Sequence, residues 1–186
     1  MNPILLAVAL QSAPIAPPLP QSVAECDRPT YATDQLVCSD PGHRAADREV
    51  ARLVAMTPPA RLSGAWLEDQ QAWFRRSRRC AFQTNQSVCV AAAYRERAAV
   101  LAAVQADAPV LSGDCRLASG THAGSARSGA GTVLVVAGRV VAVALPAGGS
   151  WKPFITTTRS GRNDTLRDLA GTIVARCTVL SRKAGA

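Results

Sequence analysis

Apolar positions recur at helical spacing through the first hundred residues, then give way to short apolar runs separated by Gly, Ser and Thr. The segment PGHRAADREVARLVA predicts a helix from Pro41 to about Ala55. Asp40 or Ser39 can cap it, and Pro41 suits its first turn. TPP at 57–59 stops it. A second helix is expected from about Ala60 to Arg79, where Leu62, Trp66, Leu67, Trp73 and Phe74 form an apolar stripe with Gln70 inside it. A third, from about Val88 to Gln105, carries Val90, Tyr94, Leu101 and Val104 on one face, and its alanines allow close approach of a neighbour.

Beyond Pro109 the period shortens. GTVLVVAGRVVAVALP predicts two half-buried strands around a turn at Ala137–Gly138. KPFITTTRSGRND predicts a third strand running into a turn at Ser160–Gly161, GTIVARCTVL a last one, and DCRL at 114–117 a short first one. Residues 118–131, ASGTHAGSARSGAG, have the composition of a long loop, either disordered or functional, and plain disorder is favoured. The expected class is α+β: a three-helix domain over 25–107, then a small antiparallel sheet or partly closed barrel over 108–186.

Cysteine usage adds covalent structure. The chain has six cysteines and two histidines, with no CxxC, so zinc-type spacing is absent and no metal or cofactor is expected. Aromatic residues are only 4% of the chain, which leaves a thin core that benefits from staples. Cys80 and Cys89 would lie about 13 Å apart in a continuous helix, too far for a disulfide, so their pairing requires the chain to reverse through FQTNQS, with Ser87 as a cap. Cys26 and Cys38, about 18 Å apart in a helix, require the same. Cys115 and Cys177 would then tie the first strand to the last. Three disulfides imply an oxidising compartment, periplasmic or secreted. The apolar run Ile4–Leu10 and the small residues before Glu25 read as a signal peptide or as a disordered apolar tail, with the cysteines favouring the former; the run is too short to span a bilayer. Residues 13–21 are proline-rich and should be extended.

Charge divides the chain at the same place as the period. Residues 25–107 carry 11 basic and 10 acidic side chains, residues 108–186 carry 10 and 3. Nearly all of the net +8 therefore belongs to the β part.

The helical half also carries an ordered set of residues: Cys26, Cys38 followed by Asp40–Pro41, then Asp47–Arg48–Glu49, Gln70 and Trp73 on a segment ending in Cys80, and Cys89 followed by Tyr94 and Arg97. Over about 25–104 this resembles the N-terminal domain of LprI-type lysozyme inhibitors, a small helical disulfide-bonded domain of exported bacterial proteins. The resemblance implies that Asp40, Pro41, Asp47, Gln70, Trp73, Tyr94 and Arg97 are structural, and that lysozyme or a related cell-wall hydrolase is a candidate partner. The chain departs from the pattern at His43 and Ala46, where large apolar residues are usual, and at Ser77, where an arginine is common.

No catalytic site is expected. Two histidines leave little scope for Ser-His-Asp chemistry, and His43 in the first turn of a helix should be exposed. No phosphate-binding or dinucleotide motif occurs. The run RRSRR (Arg75, Arg76, Arg78, Arg79) either complements a helix C-terminus or forms a patch for acidic partners. His122 and Arg127, in the 118–131 stretch, are further candidates for partner binding. Two functions follow as expectations: a non-enzymatic inhibitor that blocks the carboxylates of a glycoside-hydrolase cleft, or a protein holding anionic envelope polymers or lipid surfaces through its basic β part. Nucleic acid is not an expected partner, because no basic motif interleaved with aromatics is present.

Overall fold

The computed structural model describes residues 21–106, 110–129 and 131–179. The expected signal segment lies almost wholly outside them. Among the described residues four helices precede seven strands: α1 Ala32–Ser39, α2 Pro41–Ala55, α3 Gln70–Ser77, α4 Gln86–Gln105, then β1 Gly113–Leu117, β2 His122–Ser128, β3 Gly131–Val136, β4 Arg139–Pro146, β5 Thr156–Ser160, β6 Asn163–Arg167 and β7 Ile173–Val179. Two short 3-10 turns, Pro59–Leu62 and Arg78–Phe82, flank α3.

Local chemistry accounts for the helix ends. Asp40 accepts the His43 N–H at 2.8 Å and Pro41 occupies the first turn of α2. The expected long second helix is broken. Asp69 caps α3 by accepting the Ala72 N–H at 2.7 Å, so Leu62 sits in a separate 3-10 turn and Trp66 and Leu67 lie between the two. The three-helix expectation is corrected to four, because the unexpected α1 folds between Tyr31 and Asp40. Cys26–Cys38 ties its end to the preceding segment, and Cys80–Cys89 closes the corner before α4, both with Cα atoms 5.3 Å apart.

The small antiparallel β module is likewise corrected. All seven strands form one closed barrel, ordered β1 to β7, with β1 paired to β7. One neighbouring pair, β4 and β5, runs parallel. The segment expected to be loop contains β2. Its glycines are closely approached: a Cβ on Gly124 of β2 would lie 2.6 Å from the Leu111 side chain, and one on Gly131, at the start of β3, would lie 2.7 Å from Leu145 and 2.8 Å from the Ala144 carbonyl. The sequence signal for a loop and for a tightly approached strand is the same composition. Cys115 and Cys177 stand directly opposite at the β1–β7 seam and are joined by the third disulfide.

The core has two parts. Leu117, Leu134, Ala142, Ala144, Ile155, Leu166 and Ala175 fill the barrel. Trp73, Phe74, Tyr94, Leu101 and Val50 form the helical core, which continues onto Val133, Val135 and Val143 of the barrel's outer face. Strand β3 is therefore buried on both faces from Gly131 to Val135, which is why its sequence is a continuous apolar run and not an alternation.

Candidate functional site

Of the residues of the LprI-type pattern, Asp47, Gln70, Trp73, Tyr94 and Arg97 turn inward, whereas Pro41, Arg48 and Glu49 are exposed and Asp40 caps α2 at the surface. Tyr94 donates to Asp47 at 2.8 Å, and Asp47 also accepts the Ala24 N–H at 3.2 Å. Burial pushes the Asp47 carboxyl above the usual carboxylate range, against the lowering effect of these two donors. Arg97 is fully buried, donates to Gln70 and to the Glu68 carbonyl at 2.7 Å each, and is pushed down to about 10 by desolvation. Gln70 passes the network on to the Ser22 carbonyl at 2.6 Å. Trp73 meets the Tyr94 ring edge-on at 5.1 Å. These side chains bind the helices to one another and to residues 22–24.

The RRSRR run is divided by the fold. Arg76 lies between Glu68 at 2.6 Å and Glu96 at 3.0 Å, stacks 4.2 Å from the centre of the Trp151 ring and donates to the Lys152 carbonyl at 2.8 Å. Glu96 also accepts the Trp151 indole N–H and the Phe154 N–H, both at 2.6 Å. This cluster joins helix to barrel. Burial drives the Glu96 carboxyl upward even with one cation and two N–H donors on it. Burial pulls Arg76 down, but its two carboxylates outweigh that and hold it above the ordinary arginine value. Arg78 lies over the Tyr31 ring at 3.4 Å and donates to Gln21. Arg75 and Arg79 remain exposed.

The barrel arranges its own charges. Asp164 is buried at one end, accepts from Thr132 at 3.0 Å and pairs with Arg159 at 2.8 Å and Arg127 at 3.3 Å. Arg127 thus closes a barrel end and is not held in a loose loop. On the outer wall, strand register sets His122, Arg116, Arg176, Thr165 and Thr158 side by side across β2, β1, β7, β6 and β5. Arg116 and Arg176 are directly opposed, both exposed, and a groove of about 400 Å³ lies beside them, lined also by Leu117, Ala118, Gly120 and Ile173. Arg116 Nη2 is 3.3 Å from His122 Nε2. Like charges facing each other across strands normally destabilise a sheet. This row escaped the sequence reading, although the signal was present. Arg116 follows one cysteine of the closing pair and Arg176 precedes the other, so an antiparallel Cys115–Cys177 pairing sets the two arginines opposite each other.

His43 does not lie exposed as expected. It is mostly buried between α2 and the start of α4, with Ser87 Oγ 3.1 Å from Nε2 and Asp40 Oδ1 3.2 Å from Nδ1. Hydrogen bonding from the His43 N–H, followed by nearby positive charge, holds the Asp40 carboxyl below the usual range. Ser87 is therefore not the cap of α4; Asn85 occupies that position, and its side chain makes no capping bond. Among the described residues no group of three or more His, Cys, Asp or Glu side chains has the arrangement of a metal site, and no helix is long and apolar enough to cross a membrane. The three disulfides fit a secreted, extracytoplasmic protein.

The chain matches no protein-family model, no curated protein and no solved structure.

Proposed function

We propose that this protein is exported to the periplasm or the cell exterior and attaches there to an anionic polymer of the cell envelope through the outer wall of its barrel. One observation carries the proposal: the opposed exposed arginines Arg116 and Arg176, with His122 alongside, on a groove. Mutual repulsion within this row is relieved when phosphate or carboxylate groups lie between the guanidinium groups, and planar guanidinium forks suit those groups. Arg127 and Arg159 contribute positive potential at the barrel end, since two arginines share one aspartate there.

Lysozyme inhibition is the reading that the LprI-type resemblance supports. It is the weaker of the two, because the residues that carry the resemblance are structural, with Asp47, Gln70, Trp73, Tyr94 and Arg97 buried in the helical part, and none of these five presents a surface to a partner. A +8 chain is also repelled at long range by lysozymes that are themselves basic.

Retention on polyphosphate and polyglutamate, compared between low and physiological salt, tests the proposal. Vesicles rich in phosphatidylglycerol form a separate arm for a lipid source of the same anionic groups. The wild-type protein should bind the polymers in a salt-dependent manner, and R116Q/R176Q should bind about tenfold more weakly, or ~1.4 kcal/mol. Undiminished binding by the double variant would overturn the proposal. Stoichiometric inhibition of lysozyme on a soluble oligosaccharide, unaffected by salt or by the double variant, would establish the other reading in its place.

A further inference from the structure

We infer that Asp40, His43 and Ser87 form an acyl-transfer site at the junction of α2 and α4, a hydrolytic function distinct from the binding surface on the barrel. The three groups stand in the order that such chemistry requires. Ser87 Oγ is 3.1 Å from one imidazole nitrogen, and Asp40 Oδ1 is 3.2 Å from the other. Ser87 is exposed, whereas the His43 side chain is only 10% exposed, so the base is sheltered and the nucleophile is open.

Each member is held from more than one side. Asp40 Oδ1 also accepts the His43 N–H at 2.8 Å, which fixes the carboxylate at the start of the helix that carries the histidine. A Cβ on Gly42 would press to 3.1 Å on that oxygen, and the glycine leaves it room. The Cys80–Cys89 bridge, two residues beyond Ser87, ties the start of α4 to the preceding 3-10 turn. His43 is also a point where the chain departs from the LprI-type pattern.

The start of α4 supplies electrostatics suited to an oxyanion. The N–H groups of the first helical turn have no intrahelical acceptor, and no side chain caps this helix. Those of Ser87 and Val88 therefore serve a developing negative charge at the serine. Phe82 and Val88, 87% and 56% exposed, lie within five residues of Ser87 and suit an apolar acyl group. The substrate class is a small carboxylic ester with an apolar acyl chain.

The chemistry balances without a cofactor. Ser87 Oγ attacks the ester carbonyl carbon while His43 Nε2 takes the hydroxyl proton. The tetrahedral oxyanion collapses, the C–O bond to the alcohol breaks, and His43 returns the proton to the departing alkoxide. Water then attacks the acyl-serine, with its proton passing to His43 and on to Ser87 Oγ, and the carboxylic acid leaves. Ser87 and His43 are the catalytic residues. Asp40 is a positioning residue that orients the imidazole and stabilises its protonated form.

A fluorophosphonate probe on the oxidised full-length chain, read by intact mass and peptide mapping, tests the site together with hydrolysis of 4-nitrophenyl butyrate. We expect one adduct, on Ser87, and its loss in S87A, an exposed substitution that leaves the fold in place. Ser39→Ala, whose hydroxyl donates to the Leu36 carbonyl, should keep the adduct. D40N retains a capping side chain, so a purely structural Asp40 would leave kinetics unchanged; as a positioning residue it should lower kcat by about 10²-fold or more with KM unaltered. The inference is overturned if the native chain gives no Ser87 adduct, or if S87A hydrolyses the ester as fast as the wild type.

Discussion

Arg76→Ala tests whether the helical part and the barrel are held together by the buried charge cluster between them. The substitution removes the cation from two carboxylates, Glu68 and Glu96, that are 9% and 4% exposed. It also removes the stacking on Trp151 and the hydrogen bond to the Lys152 carbonyl. Breaking a buried ion pair by deleting one partner costs about 3–5 kcal/mol, because the remaining charge stays buried without compensation. Loss of the cation–π contact adds roughly 1 kcal/mol. Part of this is recovered because Glu96, already pushed upward by burial, takes up a proton once Arg76 is gone. The expected net loss is about 4 kcal/mol, a large share of a total stability of roughly 5–15 kcal/mol. Urea denaturation of the oxidised protein, followed by tryptophan fluorescence, measures it directly, since Trp151 and Trp73 are both buried near the cluster. The midpoint should fall steeply, and E68Q/E96Q in the R76A background should restore part of the loss. A loss below about 1 kcal/mol would refute the view that the charges are desolvated.

Glu96→Gln bears on pH. The folded Glu96 carboxyl titrates above the ordinary glutamate value of 4.5, so the native state binds more protons than the unfolded one in that window, and its share of stability is present below 4.5 and lost as pH rises through the folded value. Denaturation curves across this range should show that slope in the wild type and a flatter one in E96Q. Ala137→Gly should raise stability by up to about 1 kcal/mol, because Ala137 sits at φ 47° in the β3–β4 turn, where an L-residue is strained; thermal melting reads the gain. Replacing both Cys115 and Cys177 by alanine opens a seam that closes over a sequence separation of 62, with an expected loss of about 4 kcal/mol by denaturant titration.

Signals that act over a few residues were the ones legible in the chain. Asp40–Pro41 marks the start of α2, and Ala137–Gly138 marks the β3–β4 turn, because caps and turns depend on local chemistry. The apolar stripe from Leu62 to Phe74 was misleading. Leu62, Leu67, Trp73 and Phe74 share the helical core while Trp66 packs against the barrel core, and all belong to separate short segments; periodicity cannot distinguish a continuous helix from such pieces. Strand β2 was hidden because alanine, serine and glycine in HAGSARS match a loop as well as a closely approached strand. Strand β6 was hidden in the same way, since NDTLR carries little apolar alternation and its inward Asp164 is satisfied only by Thr132, Arg127 and Arg159 on three other strands. The Asp40–His43–Ser87 alignment was beyond local reading for a related reason. Asp40 and His43 are three apart, but Ser87 arrives from 44 residues away, on a helix whose starting point is set by a disulfide.

Strand β3 is shared between two cores, one inside the barrel and one under the helices. Neither half can shed water from its own apolar surface without the other. Opening the barrel strips the floor from the helical core, and detaching the helices wets Val133, Val135 and Val143. The molecule is accordingly expected to melt as one cooperative unit, with the amides of β3 exchanging with solvent only through global unfolding. The same sharing ties the evolution of the two halves together: a volume change on either side of this strand must be answered on the other, so a helical domain of this kind cannot be exchanged between barrels without remaking the strand that both use.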